Sequence, residues 1–120
     1  AKIEGREERI KYFKWLYELE YGIFGIPKPD LNIILHMPAE IAHGFVDKKS
    51  ARDYIGGKKR DIHEGNLEHL KKAEKTYLEM AEIFPDDFKI IECFEGGKVL
   101  SIDDIHEKLW RIVENMLKPL

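Results

Sequence analysis

Hydrophobic residues recur at helical spacing near the start of the chain. Between about Arg6 and Tyr21, apolar side chains alternate with Glu, Lys and Arg at that spacing, which predicts an amphipathic helix. Glycines and prolines between Gly22 and Pro29 end the pattern. The run LNIIL at residues 31–35 is nearly continuous and rich in branched side chains, which predicts a strand buried on both faces. Pro38 suits the first position of a second helix that ends near Lys48.

The second half of the chain places a helix before a strand. Asp61 and Glu64 form a variant of the capping box, and the apolar spacing that follows predicts a long helix from about Ile62 to Ile83. The run FKIIECF at residues 88–94 predicts a second buried strand, followed by a loop and by a last helix that starts at Ser101. Because helices separate the two strands, the pattern favours parallel pairing with right-handed crossovers, and therefore an α/β fold.

The two predicted strands are too few for a complete parallel sheet. Such a sheet needs helices over both faces and neighbours along its edges, because an open edge exposes unpaired backbone groups. We therefore expect residues 1–120 to form a single partial domain, the later portion of a larger doubly wound domain.

Composition narrows the possible partners and compartment. The net charge of -3, from 20 basic and 23 acidic residues, gives no general attraction to nucleic acid or to an anionic membrane. The single cysteine, Cys93, allows neither an internal disulfide nor a thiolate metal site, and a reducing cytoplasm fits best. No apolar run approaches the ~20 residues of a membrane span. The histidines lack the spacing of a helical metal site, so no metal ligand is assigned.

The segment GGKKRDIHEGN at residues 56–66 concentrates polar chemistry between two amphipathic stretches. Arg60 offers a planar fork to phosphate oxygens, and Lys58 and Lys59 add mobile positive charges. Asp61 and Glu64 could hold the segment closed or contact a sugar hydroxyl. A solvated loop that precedes a helix, with the two acids acting only as caps, explains the same residues. Both interpretations stay open on the residues alone.

Three strings taken together resemble thymidylate kinases. FGIPKPDLNIILHMPAEIA resembles the family's Pro-Lys-Pro-Asp-Leu lead into an apolar strand, with His36 where the family usually has Asp. YIGGKKRDIHEGNLEHLKKAEKTYLEMA is similar to the lid and the helix after it. KIIECFEGGKVLSIDDIHEKLWRIV is similar to the last strand, the loop beside adenine and the last helix.

The resemblance implies a nucleoside monophosphate kinase with a P-loop NTPase-like fold. Such an enzyme transfers the γ-phosphate of ATP to dTMP with Mg²⁺, giving dTDP, and the family forms homodimers. The lid, at about residues 50–64, would bring its cations to the ATP phosphates: Lys58, Lys59 and Arg60. His63 and Glu64 would lie near the acceptor nucleotide. The loop beside adenine would be formed by Gly97, Lys98 and Val99.

The sequence lacks the other half of that active site. No Gly-x-x-x-x-Gly-Lys-Ser/Thr phosphate loop occurs in it, and the Asp-Arg motif of the family is also missing. We therefore expect the isolated chain to be inactive and to represent the C-terminal half of a thymidylate kinase-like domain. The alternatives are a non-catalytic module that binds a nucleotide or a protein partner, and a kinase for another nucleoside monophosphate.

Overall fold

The computed structural model of the chain describes residues 1–51 and 66–118. Its elements follow one another in this order: α1 (Arg6–Tyr17), a π-helical segment (Glu18–Ile23), β1 (Asn32–His36), α2 (Ala39–Ala51), α3 (Leu67–Ile83), β2 (Phe88–Glu92), β3 (Phe94–Glu95), β4 (Lys98–Val99) and α4 (Ile102–Leu117). None of the helices in these two ranges combines the length and the apolar content needed to cross a membrane.

Helix α1 continues beyond its predicted end. The chain stays helical to Ile23 but changes to π geometry, in which the amide of Phe24 donates to the carbonyl of Leu19 at 2.8 Å. Gly25 then adopts a positive φ of 68°. This conformation favours glycine, and here the helical segment gives way to the loop that leads to β1.

The two predicted strands pair in parallel, as expected. Residues Asn32 to His36 of β1 lie opposite Phe88 to Glu92 of β2, in register from end to end. Ile91 is only 2% exposed, whereas Leu35 is 54% exposed. The prediction that the first strand is buried on both faces is therefore wrong within the described residues, since Leu35 of β1 is more than half exposed.

Helix α3 begins later than predicted. Asn66 has extended backbone angles, and its side chain accepts a bond from the amide of His69 at 3.2 Å. A side-chain oxygen of this kind satisfies one of the free N–H groups in the first turn. Asn66 is therefore the N-cap, and an unbroken helix from Ile62 is ruled out. Asp61 and Glu64, the predicted capping pair, lie outside the described residues.

The end of the chain is more structured than the pattern indicated. The predicted strand at residues 88–94 ends at Glu92, and the predicted loop is instead a hairpin in which β3 and β4 pair antiparallel. Ser101 begins α4 as predicted, because its hydroxyl oxygen accepts a bond from the amide of Asp104 at 3.1 Å.

Candidate functional site at the carboxyl edge of the strands

Both parallel strands end at the same edge of the sheet. His36 closes β1 opposite Glu92, which closes β2, and the amide of Cys93 donates to the carbonyl of His36 at 3.0 Å. Ala39, the first residue of α2, and Cys93 are almost fully buried beside this edge, at 2% and 3% exposure. In open α/β sheets ligands bind beyond the carboxyl ends of the strands. This edge is therefore the candidate site.

The imidazole of His36 links four elements at that edge. Its Nδ1 lies 2.6 Å from a carboxylate oxygen of Glu92, and its Nε2 lies 2.8 Å from a carboxylate oxygen of Glu74 in α3. The second oxygen of Glu74 accepts the amide of Ala39 at 3.0 Å, at the start of α2. The ring is thus a bridge between the two strands, and Glu74 extends the bridge to both flanking helices.

Charge explains why this bridge holds. Partial burial alone would lower the pKa of His36, but hydrogen bonds to Glu74 and Glu92 outweigh it and leave the pKa raised. A protonated ring donates through both nitrogens, which suits two carboxylate acceptors. The raised pKa favours the protonated ring, and because both nitrogens are bonded to carboxylates, the geometry of His36 suits positioning rather than proton abstraction.

The predicted adenine-side residues lie on the hairpin that follows β2. Gly96 and Gly97 form its turn with positive φ values of 59° and 76°, as two-residue hairpin turns favour. Lys98 and Val99 continue into β4, and all of these residues are exposed. Their backbone groups are thus placed at the surface, beyond the same edge of the sheet as His36.

Helix α4 anchors the hairpin. The Lys108 ammonium donates to a carboxylate oxygen of Glu95 at 2.5 Å and to the carbonyl of Glu92 at 3.1 Å. A single lysine therefore connects α4 with the end of β2 and the start of the turn. Cys93 lies between these two points, and burial raises the pKa of its thiol. A protonated thiol is a poor nucleophile, which makes Cys93 a packing residue.

The residues predicted to face phosphate and acceptor lie outside the described ranges: Lys58, Lys59, Arg60, His63 and Glu64. The structure consequently brings only part of the predicted site together. Within residues 1–51 and 66–118, no grouping of acidic, histidine and cysteine side chains suits a metal ion. The carboxylates nearest the edge, those of Glu74 and Glu92, are already bonded to His36.

Sequence reasoning missed the role of Glu74. His36 stood out only as a residue where the resembling family usually has Asp, and Glu74 occupies an ordinary helical position far along the chain. The sequence did contain a signal for the partner Glu92. His36 and Glu92 each follow directly on a run of apolar residues that predicts a strand. The parallel register then places the two opposite each other.

Comparison with known proteins finds similarity to thymidylate kinases. The chain is 31% identical over 67 residues to the thymidylate kinases of Mycobacterium tuberculosis strains CDC 1551 / Oshkosh and ATCC 25618 / H37Rv. The matched segment covers 56% of this chain and spans 30% of the length of each relative. No family profile and no solved structure matches the chain. The similarity supports a distant relationship to thymidylate kinases, and the parallel strands with flanking helices are compatible with an α/β fold.

Proposed function

We propose that the chain is the C-terminal part of a thymidylate kinase, which transfers the γ-phosphate of ATP to dTMP and yields dTDP. The observation that carries the proposal is the 31% identity over 67 residues to two thymidylate kinases. The geometry supports it, because β1 and β2 end at one edge and the Gly97 hairpin follows directly from that edge. The fold of the whole protein would then be P-loop NTPase-like.

We assign the roles of the individual residues from their charge and their position in the sequence. Phosphoryl transfer depends mainly on orienting the reactants and neutralising charge on the moving group. Arg60 would act as the fork that stabilises this charge, with Lys58 and Lys59 in support. His63 and Glu64 would lie near the acceptor nucleotide. Mg²⁺ would arrive with ATP and neutralise its phosphates, and its ligands would come from outside the described residues.

The hairpin would serve the adenine side of ATP through its backbone. Gly97 has no side chain, and apart from Gly97 and its two chain neighbours no atom of the described residues lies within 4 Å of the position that a β-carbon would occupy there. A planar base could therefore approach this turn closely. Lys98 and Val99 are exposed beside the turn, and the main-chain groups that the pairing of β3 with β4 leaves free would face a nucleotide.

A second function is favoured by one observation, the exposed strand β1. Leu35 is 54% exposed on a sheet that has two strands in the described ranges. A non-catalytic module would cover this surface with a protein partner. A kinase for another nucleoside monophosphate would share the edge site and differ only in its acceptor.

The test compares the isolated 120-residue chain with the protein encoded by the complete reading frame around it. With ATP and Mg²⁺, the complete protein should phosphorylate dTMP at least tenfold faster than dUMP, dCMP or dAMP, and the isolated chain should not turn over. A preference for another monophosphate would assign the acceptor differently. Absence of transfer to every monophosphate would favour the binding module, and turnover by the isolated chain would refute its assignment as half of a site.

A further inference from the structure

A cavity of about 160 Å³ lies between α1 with its π-helical extension and α3. Asn32 and Phe88, the first residues of β1 and β2, lie at one end of it. The cavity is therefore at the amino ends of the strands, opposite the edge that carries His36. Its apolar wall is formed mainly by Phe13, Leu16, Tyr21, Met80, Phe84 and Phe88.

The wall is aromatic and incompletely packed. Tyr17 stacks on Phe84 with ring centroids 6.0 Å apart, and it meets Tyr21 edge to face at 4.9 Å. Among the described residues no large side chain is completely buried. Atoms that line a hollow lose dispersion contacts on one side, and a dry apolar cavity of about 150 Å³ is large enough to hold benzene. A small ring would recover the contacts that this wall lacks.

One cation stands at the rim of the cavity. The Lys28 ammonium lies 2.7 Å from a carboxylate oxygen of Asp87 and donates to the hydroxyl of Tyr17 at 2.8 Å. An ammonium group has three donors, so these two bonds leave one for a further acceptor. Asp87 and Glu20 also line the cavity, and their carboxylates disfavour an anionic guest because like charges repel.

We propose that this cavity binds a small neutral aromatic molecule that carries one hydrogen-bond acceptor, of the size of a phenol. The ring lies among Phe13, Phe84 and Phe88, and its oxygen accepts the remaining N–H of Lys28. The site is independent of the proposed kinase activity, because it lies at the opposite end of the strands from the nucleotide edge.

Methionine methyl NMR on the intact chain tests the proposal with internal controls. The chain has three methionines, of which Met80 lines the cavity and Met37 and Met116 do not. Titration with phenol should shift the Met80 methyl signal through the ring current of the guest and leave the other two signals unchanged. The proposal is wrong if the Met80 signal does not shift at the highest phenol concentration. It is also wrong if all three methionine signals shift equally.

Two variants separate the wall from the rim. Leu16→Phe fills the cavity and should weaken the binding of phenol and of toluene at least tenfold. Leu117→Phe makes the same change at an exposed residue of α4 and should leave the binding of both molecules unchanged. Lys28→Leu should weaken phenol about threefold to tenfold and spare toluene, as loss of one hydrogen bond predicts. Equal effects of Lys28→Leu on both probes would refute the role of the rim cation. If Leu16→Phe does not fold, the wild-type Met80 signal still decides whether the cavity is occupied.

Discussion

The Arg9 guanidinium of α1 holds the Glu79 carboxylate of α3 through two parallel hydrogen bonds. Nε of Arg9 lies 2.8 Å from one carboxylate oxygen and a terminal nitrogen lies 2.8 Å from the other. Arg9 is 6% and Glu79 is 4% exposed. The other terminal nitrogen of Arg9 donates to the carbonyls of Ile3 and Glu4. The pair therefore joins the segment before α1, α1 itself and α3.

Replacing Glu79 with Gln should destabilise the chain, because it leaves the Arg9 cation buried without its counter-charge. We expect the thermal midpoint to fall by at least about 5 °C. Glu82→Gln is the matched control, since the Glu82 side chain is 67% exposed in its pair with Arg6. That change should move the midpoint by less than about 2 °C, as for exposed ion pairs. Equal midpoints for the two variants would contradict a structural role for the buried pair.

The same pair predicts how stability changes in acid. The hydrogen bonds from Arg9 lower the pKa of Glu79 more strongly than burial raises it. A group whose pKa is lowered on folding contributes stability above its unfolded pKa, and the contribution is lost as the pH falls through the folded value. Urea unfolding should therefore give a lower free energy of unfolding for Glu79→Gln than for the wild type at about pH 7. The difference between the two free energies should be smaller at about pH 3. A difference that grows on acidification would argue against this linkage.

His36 predicts the opposite dependence on pH. Its pKa is raised in the folded chain because its bonds to Glu74 and Glu92 outweigh the lowering by burial. The stability that it contributes is therefore complete below its unfolded pKa of about 6.5 and is lost as the pH rises through the folded value. His36→Gln should destabilise the chain more at about pH 5.5 than at about pH 9. Urea unfolding at both pH values measures this difference in the free energy of unfolding. If His36→Gln lowers the free energy of unfolding equally at both pH values, the bonds to Glu74 and Glu92 are not the source of the effect.

Local signals were sufficient where the partner of a residue lies close in the sequence. Ser101 and Asp104 are three positions apart and formed the predicted cap. The apolar runs also predicted the paired strands, because each run carries the β-branched residues that such strands favour. At α3 the capping-box pattern indicated only Asp61 as a cap and missed Asn66, which caps the helix through the amide of His69.

Other features of the fold could not be predicted from the spacing of apolar residues, because they involve very short strands or contacts between residues far apart in the sequence. Strands β3 and β4 have two residues each, too short for any alternation to be recognised. Gly96-Gly97 was the available signal for the hairpin, since adjacent glycines favour its turn. The bond between His36 and Glu74 joins residues 38 positions apart, so it depends on the packing of α3 against α2 and β2. The lid prediction falls on residues outside the described ranges and stays a prediction.

Replacement of glycine by alanine should have opposite effects on the stability of the chain at Gly97 and at Gly44. Gly97→Ala should destabilise the chain by about 1 kcal/mol, because alanine is strained at the positive φ of 76°. Gly44→Ala should stabilise it by about 0.5–1 kcal/mol, because alanine favours a helix interior. Gly44 lies within α2, and apart from its chain neighbours and the helix backbone no described atom lies within 4 Å of the added carbon. Urea unfolding of both variants measures the two effects, and a stabilised Gly97→Ala chain would contradict the turn geometry.

Arg60 provides the sharpest kinetic test of the proposed kinase. In an active protein that contains these residues, Arg60→Ala should lower kcat for dTMP phosphorylation by about 100-fold or more, because a cation that stabilises the moving phosphoryl group acts mainly in the transition state. The KM for dTMP should change by less than about threefold, since Arg60 is assigned to ATP. Arg111→Ala removes the same charge from an exposed position of α4 and should leave both constants unchanged. A raised KM for dTMP with normal kcat would move Arg60 to the acceptor side, and unchanged turnover would remove it from the site.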